Sequence, residues 1–237
     1  MEEFYNKVVE YSGNNDIVKA NKKIVELFCG QHMGQYSPVS SIIGGWGAQE
    51  ALKAVSGKYM PIMQNWYFDA FELIKEFPSE ESAQPKGSRY DGQLVIFGDK
   101  LQAKLEDQSI FLVGAGALGC ELIKFLALSG ACSKHELHVT DLDMIENSNL
   151  SRQFLFREHD SGRMKSDVAA ERMRKMNPEC KVQPMCVKIG ADNPMPPQFW
   201  KSKSIVINAL DNVPTRQFVD QKCIQFCKPL LESGTLG

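Results

Sequence analysis

At 237 residues the chain is long enough to bury a core of its own, and its 43% hydrophobic and 24% charged residues are ordinary for a globular protein. A formal net charge of −2 excludes a global field that would draw in nucleic acid or an anionic membrane surface. No run approaches the roughly 18 apolar residues of a membrane-spanning helix, so neither nucleic acid nor membrane is an expected partner.

The opening MEEFYNKVVEY is acidic and amphipathic, unlike a secretory signal. Seven scattered cysteines, mostly inside apolar periodic segments, predict reduced thiols in an intracellular protein. Cys223 and Cys227 form one C-x3-C pair with no second pair to complete a zinc site.

Residues 1–76 read as a helical segment. NNDIVKANKKIVELFCG has a polar cap, apolar positions at Ile17, Ile24, Leu27 and Phe28, and Gly30 as a stop. A second helix opens with Ser37 as N-cap and Pro38 at the first helical position, and closes at Gly57. Gly44, Gly45 and Gly47 lie inside it at about 1 kcal/mol each. That cost predicts close approach of another backbone, with a frayed or kinked helix as the alternative. Residues 77–88, FPSEESAQPKGS, are expected to form a linker or exposed loop.

Strands and helices alternate through 89–237. SIFLV, HELHVTD, KVQPMCV, SIVINALD and KPLLES read as strands, with Pro184 placing the third at an edge. ALGCELIKFLALSG, GRMKSDVAAERMRKMNP and VPTRQFVDQKCIQFC read as the helices between them. The fold class that follows is α/β, a Rossmann-like, doubly wound, mostly parallel sheet preceded by a helical segment.

Gly114, Gly116 and Gly119 make G-x-G-x-x-G between the first strand and its helix, the setting in which this motif supports an anion at a helix N-terminus. Asp141, at the tip of the next strand, can accept both hydroxyls of a ribose. A nicotinamide cofactor needs little more. Here, however, Arg152 and Lys165 follow, and Asp211-Asn212 stand beyond a later strand. Two cations for phosphate oxygens and a carboxylate for a metal suit a triphosphate with magnesium. No G-x-x-x-x-G-K-[ST] is present, so this is not a P-loop. Tight strand–helix packing without a ligand, and a solvated Arg152 and Lys165, are the bland alternatives.

RYDGQLVIFG, FLVGAGALGCE, VTDLDMIENSNLSRQFLF, KSDVAA, MNP, NALDN and KPLLESGTLG occur in this order. They resemble the active adenylation domain of the ubiquitin-activating enzymes, in the superfamily of the bacterial MoeB and ThiF adenylating proteins. SPVSSIIGGWGAQEALKAVSGKYMPIMQNWYFDAFE resembles the C-terminal end of that family's inactive adenylation half. The resemblance implies ATP and Mg2+ as cofactors, ubiquitin and ubiquitin-conjugating enzymes as partners, and a cytoplasmic and nuclear location.

It also implies that Gly116 and Ala117 pack against the nucleotide and that Asp141 binds its ribose. Asn149 shapes the phosphate pocket, Arg152 and Lys165 hold phosphates, Asp211 binds the metal, and Asn212 lies beside the nucleotide. Arg152, Lys165 and Asp211 are the residues expected to carry catalysis. Asp143 receives no firm role; helix capping or loop support suits it as well as ligand contact.

Two positions depart from the family pattern. Gly92 stands in RYDGQ where homodimeric members carry an arginine, and Ser151 precedes Arg152 where asparagine is common. None of the seven cysteines resembles the family's nucleophile, so the expectation is an engineered fragment lacking the catalytic-cysteine domain and unable to form a ubiquitin thioester alone. Competing expectations are an activating enzyme for another ubiquitin-like protein, a nicotinamide-dependent oxidoreductase, and a degenerate scaffold without activity.

Overall fold

The computed structural model describes residues 2–68, 70, 74, 77–193 and 195–234. The chain divides into two compact units, Met1–Gln102 and Ala103–Gly237.

The first unit holds helices α1 (Glu2–Tyr11), α2 (Asp16–Ala20), α3 (Lys22–Gln31) and α4 (Ser37–Ser56), and the start of α5 (Asp91–Glu106). The single helix expected over residues 14–30 is two, divided at Asn21. The Asn21 side-chain amide donates to Ile17 O at 2.7 Å, and its backbone N–H is shared between the Ile17 and Val18 carbonyls. Local hydrogen bonding of this kind competes with helix continuation. Gly30 lies inside α3 and does not stop it. Ile17, Ile24 and Phe28 are 72%, 52% and 65% exposed, so the apolar periodicity there does not translate into a buried face.

In α4 the N-cap is the extended Tyr36; Ser37 is the first helical residue, and Gly57 ends the helix in the left-handed conformation. Apart from adjacent residues and the helix's own backbone, nothing in the described structure lies within 4 Å of a Cβ built on Gly44, Gly45 or Gly47. The expected close backbone approach is absent among the described residues, and the helix is continuous. No helix follows over residues 57–68, and the rest of the predicted helical segment is largely outside the described residues.

Residues 77–88 are mostly exposed, and they are tied to α5: Lys86 pairs with Asp99 at 2.6 Å, and Asp91 accepts the Lys86, Gly87 and Ser88 N–H groups. Helix α5, for which the sequence carries no expectation, is interrupted at Gly98. A Cβ on Gly92 would lie 2.8 Å from Gln35 Cβ, and Gly92 O accepts the Gln35 N–H at 2.9 Å. Gln35 covers the position where the family pattern has an arginine.

The second unit holds the strands of the predicted α/β fold. Strands β1 (Ile110–Val113), β2 (Glu136–Thr140), β3 (Lys181–Met185), β4 (Ile205–Asn208) and β5 (Leu230–Glu232) form one sheet in the order β3-β2-β1-β4-β5. All four pairings are parallel, and β3 with Pro184 is at an edge. Helices α6 (Ala117–Ser129), α7 (Lys165–Met176), α8 (Pro197–Lys201) and α9 (Val213–Gln225) complete the doubly wound pattern.

Alternation along β1 divides the core. Leu112 packs in one cluster with Val139, Ile123, Val168 and Met173, and Phe111 in the other with Val206, Trp200 and Val219. Each such fully buried side chain contributes about 1.5–3 kcal/mol. The short α8 was not foreseen; it is anchored by Trp200, which is completely buried.

Candidate nucleotide-binding site

The carboxyl ends of the parallel strands open onto a cavity of about 900 Å³. Ligands bind at this edge in doubly wound sheets. Gly116 and Ala117 line it from the β1–α6 turn, Asp141 from the tip of β2, and Asn149 and Arg152 from the loop that follows. Lys165 lines it from the first residue of α7, and Asp211 and Asn212 from the turn between β4 and α9. Each of the eight residues expected to bind the nucleotide or its metal therefore lines one cavity.

The three motif glycines do different things. Gly114 has φ +103°, and a Cβ there would meet Ala209 O at 2.4 Å; one on Gly119 would meet Gly114 O at 2.3 Å. Both are demanded by backbone packing. Gly116 is the N-cap of α6, and a Cβ on it would have only Gln153 Nε2, at 4.0 Å. It leaves open space in front of the first N–H groups of a 13-residue helix, which is the arrangement that accepts an anion.

Asp141 ties the turn together. Its Oδ2 accepts the Ala115 N–H at 2.7 Å and its Oδ1 accepts the Asp143 N–H at 2.8 Å. Burial holds its carboxyl above the usual carboxylate range, against the pull of those two donors. A carboxylate has about four acceptor sites, so capacity remains for hydroxyl donors from a ligand. Thr140 Oγ1 donates to Val187 O at 2.6 Å, fixing the segment after β3 that forms the cavity's far wall.

Lys165 is brought in by a backbone pairing. Met144 bridges Met164 in antiparallel fashion, Ile145 N–H reaches Arg163 O at 2.8 Å, and Lys165 N–H reaches Asp143 O at 3.0 Å. The Lys165 ammonium then donates to Asp143 Oδ2 at 2.7 Å. This gives Asp143 the role the sequence left open. The signal was present in the D-x-D spacing, but its meaning required the partner strand. Asn149 folds back on its own turn, its Oδ1 accepting the Glu146 N–H at 3.1 Å, and Arg152 Nη1 donates to Ser148 O at 3.0 Å. Asn212 Oδ1 caps α9 through the Thr215 N–H at 2.9 Å.

Polar residues at the cavity beyond those expected from the sequence include Gln153 and the exposed Lys188 beyond β3. Among the described residues no group of three carboxylate, His or Cys side chains could cage a metal. Magnesium needs none, because it is held by one or two carboxylates together with substrate phosphates. The exposed Asp211 at the cavity wall has the oxygen chemistry for that.

Residues 90–237 match the ThiF family. The chain belongs to the ThiF family. Across its length it is similar to longer proteins. It is 49% identical over 211 residues to the rabbit (Oryctolagus cuniculus) ubiquitin-like modifier-activating enzyme 1, covering 86% of this chain and 20% of that protein. It is 44% identical over 243 residues to the wheat (Triticum aestivum) ubiquitin-activating enzyme E1 1, covering 98% and 23%. The chain thus spans about a fifth of the length of these curated relatives. Among solved structures it resembles the Escherichia coli tRNA N6-threonylcarbamoyladenosine dehydratase TcdA in complex with ATP. That match has 28% identity and a TM-score of 0.55, over 67% of this chain and 62% of that one. The ThiF match covers the α/β unit that carries the cavity.

Proposed function

We propose that this chain is the nucleotide-binding part of an ATP-dependent ubiquitin-activating enzyme, which adenylates the C-terminal carboxylate of ubiquitin before thioester transfer and delivery to a conjugating enzyme. The observation that carries the reading is the convergence of the glycine turn, Asp141, Arg152, Lys165 and Asp211 on one cavity at the carboxyl edge of the sheet. The similarity at 44% identity to a protein named as a ubiquitin-activating enzyme supports ubiquitin as the substrate, and that at 49% to one named as a ubiquitin-like modifier-activating enzyme supports the same class of carrier.

In this reaction the carboxylate attacks the α-phosphorus of ATP, and the bond to the departing pyrophosphate breaks. The chemistry is mainly positioning and charge neutralisation, and the residues suit it. The α6 N-terminus and Gly116 receive phosphate, Asp141 accepts from the ribose, and Arg152 and Lys165 take up negative charge. Asp211 would hold magnesium, which supplies further positive charge to the phosphates.

Titration with ATP and with NAD, each with and without magnesium, tests the nucleotide class. ATP binding strengthened by magnesium is expected. Equal NAD binding, indifferent to magnesium, would return the cavity to a nicotinamide-dependent enzyme. Pyrophosphate exchange in the longer protein, driven by ubiquitin or by a related ubiquitin-like protein, separates the two substrate readings. Exchange at a normal rate after Asp211→Ala would remove the metal role.

A further inference from the structure

Gln153 directly follows Arg152 and is only 3% exposed, yet its Oε1 is buried with no hydrogen-bond partner. Its backbone is fully employed: the N–H donates to Asn149 O at 2.9 Å and the carbonyl accepts from Phe156 N–H at 3.1 Å. The side chain lines the cavity, with Nε2 beside Gly116, the residue that caps the anion-accepting end of α6. A buried amide left unpaired carries the desolvation penalty of a hydrogen bond it does not make. Such a group at the wall of a polar cavity is stabilised when a ligand completes it.

We infer that the Gln153 side-chain amide is a ligand-contacting group of this cavity, donating a hydrogen bond to the phosphate chain of the bound nucleotide from the place that its Oε1 now occupies. A half-turn about the terminal torsion exchanges the oxygen and the NH2 in nearly the same volume. The site that now holds an unpaired acceptor can therefore present a donor to a phosphate oxygen. Arg152 and Gln153, neighbours in one turn, then serve one substrate group from different directions: the guanidinium from the exposed side and the amide from the buried side.

The inference rests on the nucleotide reading above, and its test keeps the two apart. The full chain is titrated with Mg-ATP and with adenosine, as wild type, Gln153→Met and Gln153→Glu, and each protein is melted without ligand. Gln153→Met removes the unpaired polar atom at similar volume. Its melting temperature without ligand should equal or exceed that of the wild type, while Mg-ATP affinity falls roughly 3- to 10-fold, the loss of one hydrogen bond. Adenosine affinity should not change. Gln153→Glu, which places a carboxylate against phosphate, should weaken Mg-ATP more than Gln153→Met does, even if the methionine variant also loses stability. Unchanged Mg-ATP affinity in both variants overturns the assignment and leaves Gln153 as a packing residue, and an equal loss with adenosine overturns the phosphate contact. Failure of the wild type to bind ATP at all overturns the nucleotide reading itself, and this inference with it.

Discussion

Lys165 Nζ lies 2.7 Å from Asp143 Oδ2, with the lysine side chain 8% exposed and the aspartate 70% exposed. The pair is asymmetric: a buried cation is held by a carboxylate that water still reaches. Removing the carboxylate leaves the buried charge without its partner, the costly way to break such a pair. Asp143→Ala should lower the stability of the ligand-free protein by about 1–2 kcal/mol, discounted for the exposure of the aspartate. Saturating Mg-ATP should restore much of that loss by giving Lys165 a new anion. Thermal melts with and without nucleotide check this; an unchanged ligand-free melting temperature would show that the pair carries no weight.

Asp141 serves the fold and the ligand together. Asp141→Ala should weaken ATP binding by roughly 10- to 150-fold, the loss of charge-assisted hydrogen bonds to the ribose. It should also cost about 1–3 kcal/mol of stability, because the N–H of the fully buried Ala115 loses its acceptor. Calorimetric titration and denaturant unfolding measure the two effects separately. A folded variant with wild-type affinity for ATP would end the ribose assignment.

Substitution of the motif glycines should divide them by function. Gly119→Ala forces a Cβ to within 2.3 Å of Gly114 O, so strand and helix must separate; overpacking of this kind typically costs about 1–3 kcal/mol. Gly116→Ala meets nothing closer than 4.0 Å and should leave stability nearly unchanged while placing a methyl in the path of the phosphates. Unfolding curves and ATP titration on both variants check the contrast, and equal stability losses would contradict it.

Lys203 should be visible in alkali. It is 3% exposed, with Nζ 2.8 Å from His138 Nδ1 and 4.6 Å from the centre of the Phe199 ring. Burial pushes its ammonium down from 10.5 to about 8. Between these two values the unfolded chain holds more protons than the folded one, so the Lys203 contribution to stability rises with pH from about 8 to 10.5 and is lost as pH falls through 8. The stability difference between wild type and Lys203→Met should move in favour of the wild type across that window. A difference independent of pH, measured by urea unfolding at pH 7.5 to 10.5, would refute the shift.

The α/β fold was legible because its determinants are local. Apolar runs of four or five residues, each ended by a turn and followed by a helical period, can bury both faces only in a parallel sheet covered by helices. The glycine turn and Asp141 belong to that same local code. Other features depended on which residues meet. α8 is a single turn anchored by the burial of Trp200, and too short to show a period. The apolar period of α2 and α3 was read correctly as helical, but nothing in the period states whether the face is covered, and Ile17 and Phe28 remain exposed.

The sequence by itself determined the fold class and the residue types that gather at one sheet edge, since strand tips must project in one direction when all strands run parallel. Only the tertiary structure decided how those residues act on one another. The pairing of Met144 with Met164 brings Lys165 to Asp143, and the position of the glycine turn beside β2 lets Asp141 hold Ala115. The fold also leaves Gln153 Oε1 buried without a partner. Hydrogen bonds form over about 3 Å, and no spacing along a chain fixes distances of that size between segments that meet only in the folded state.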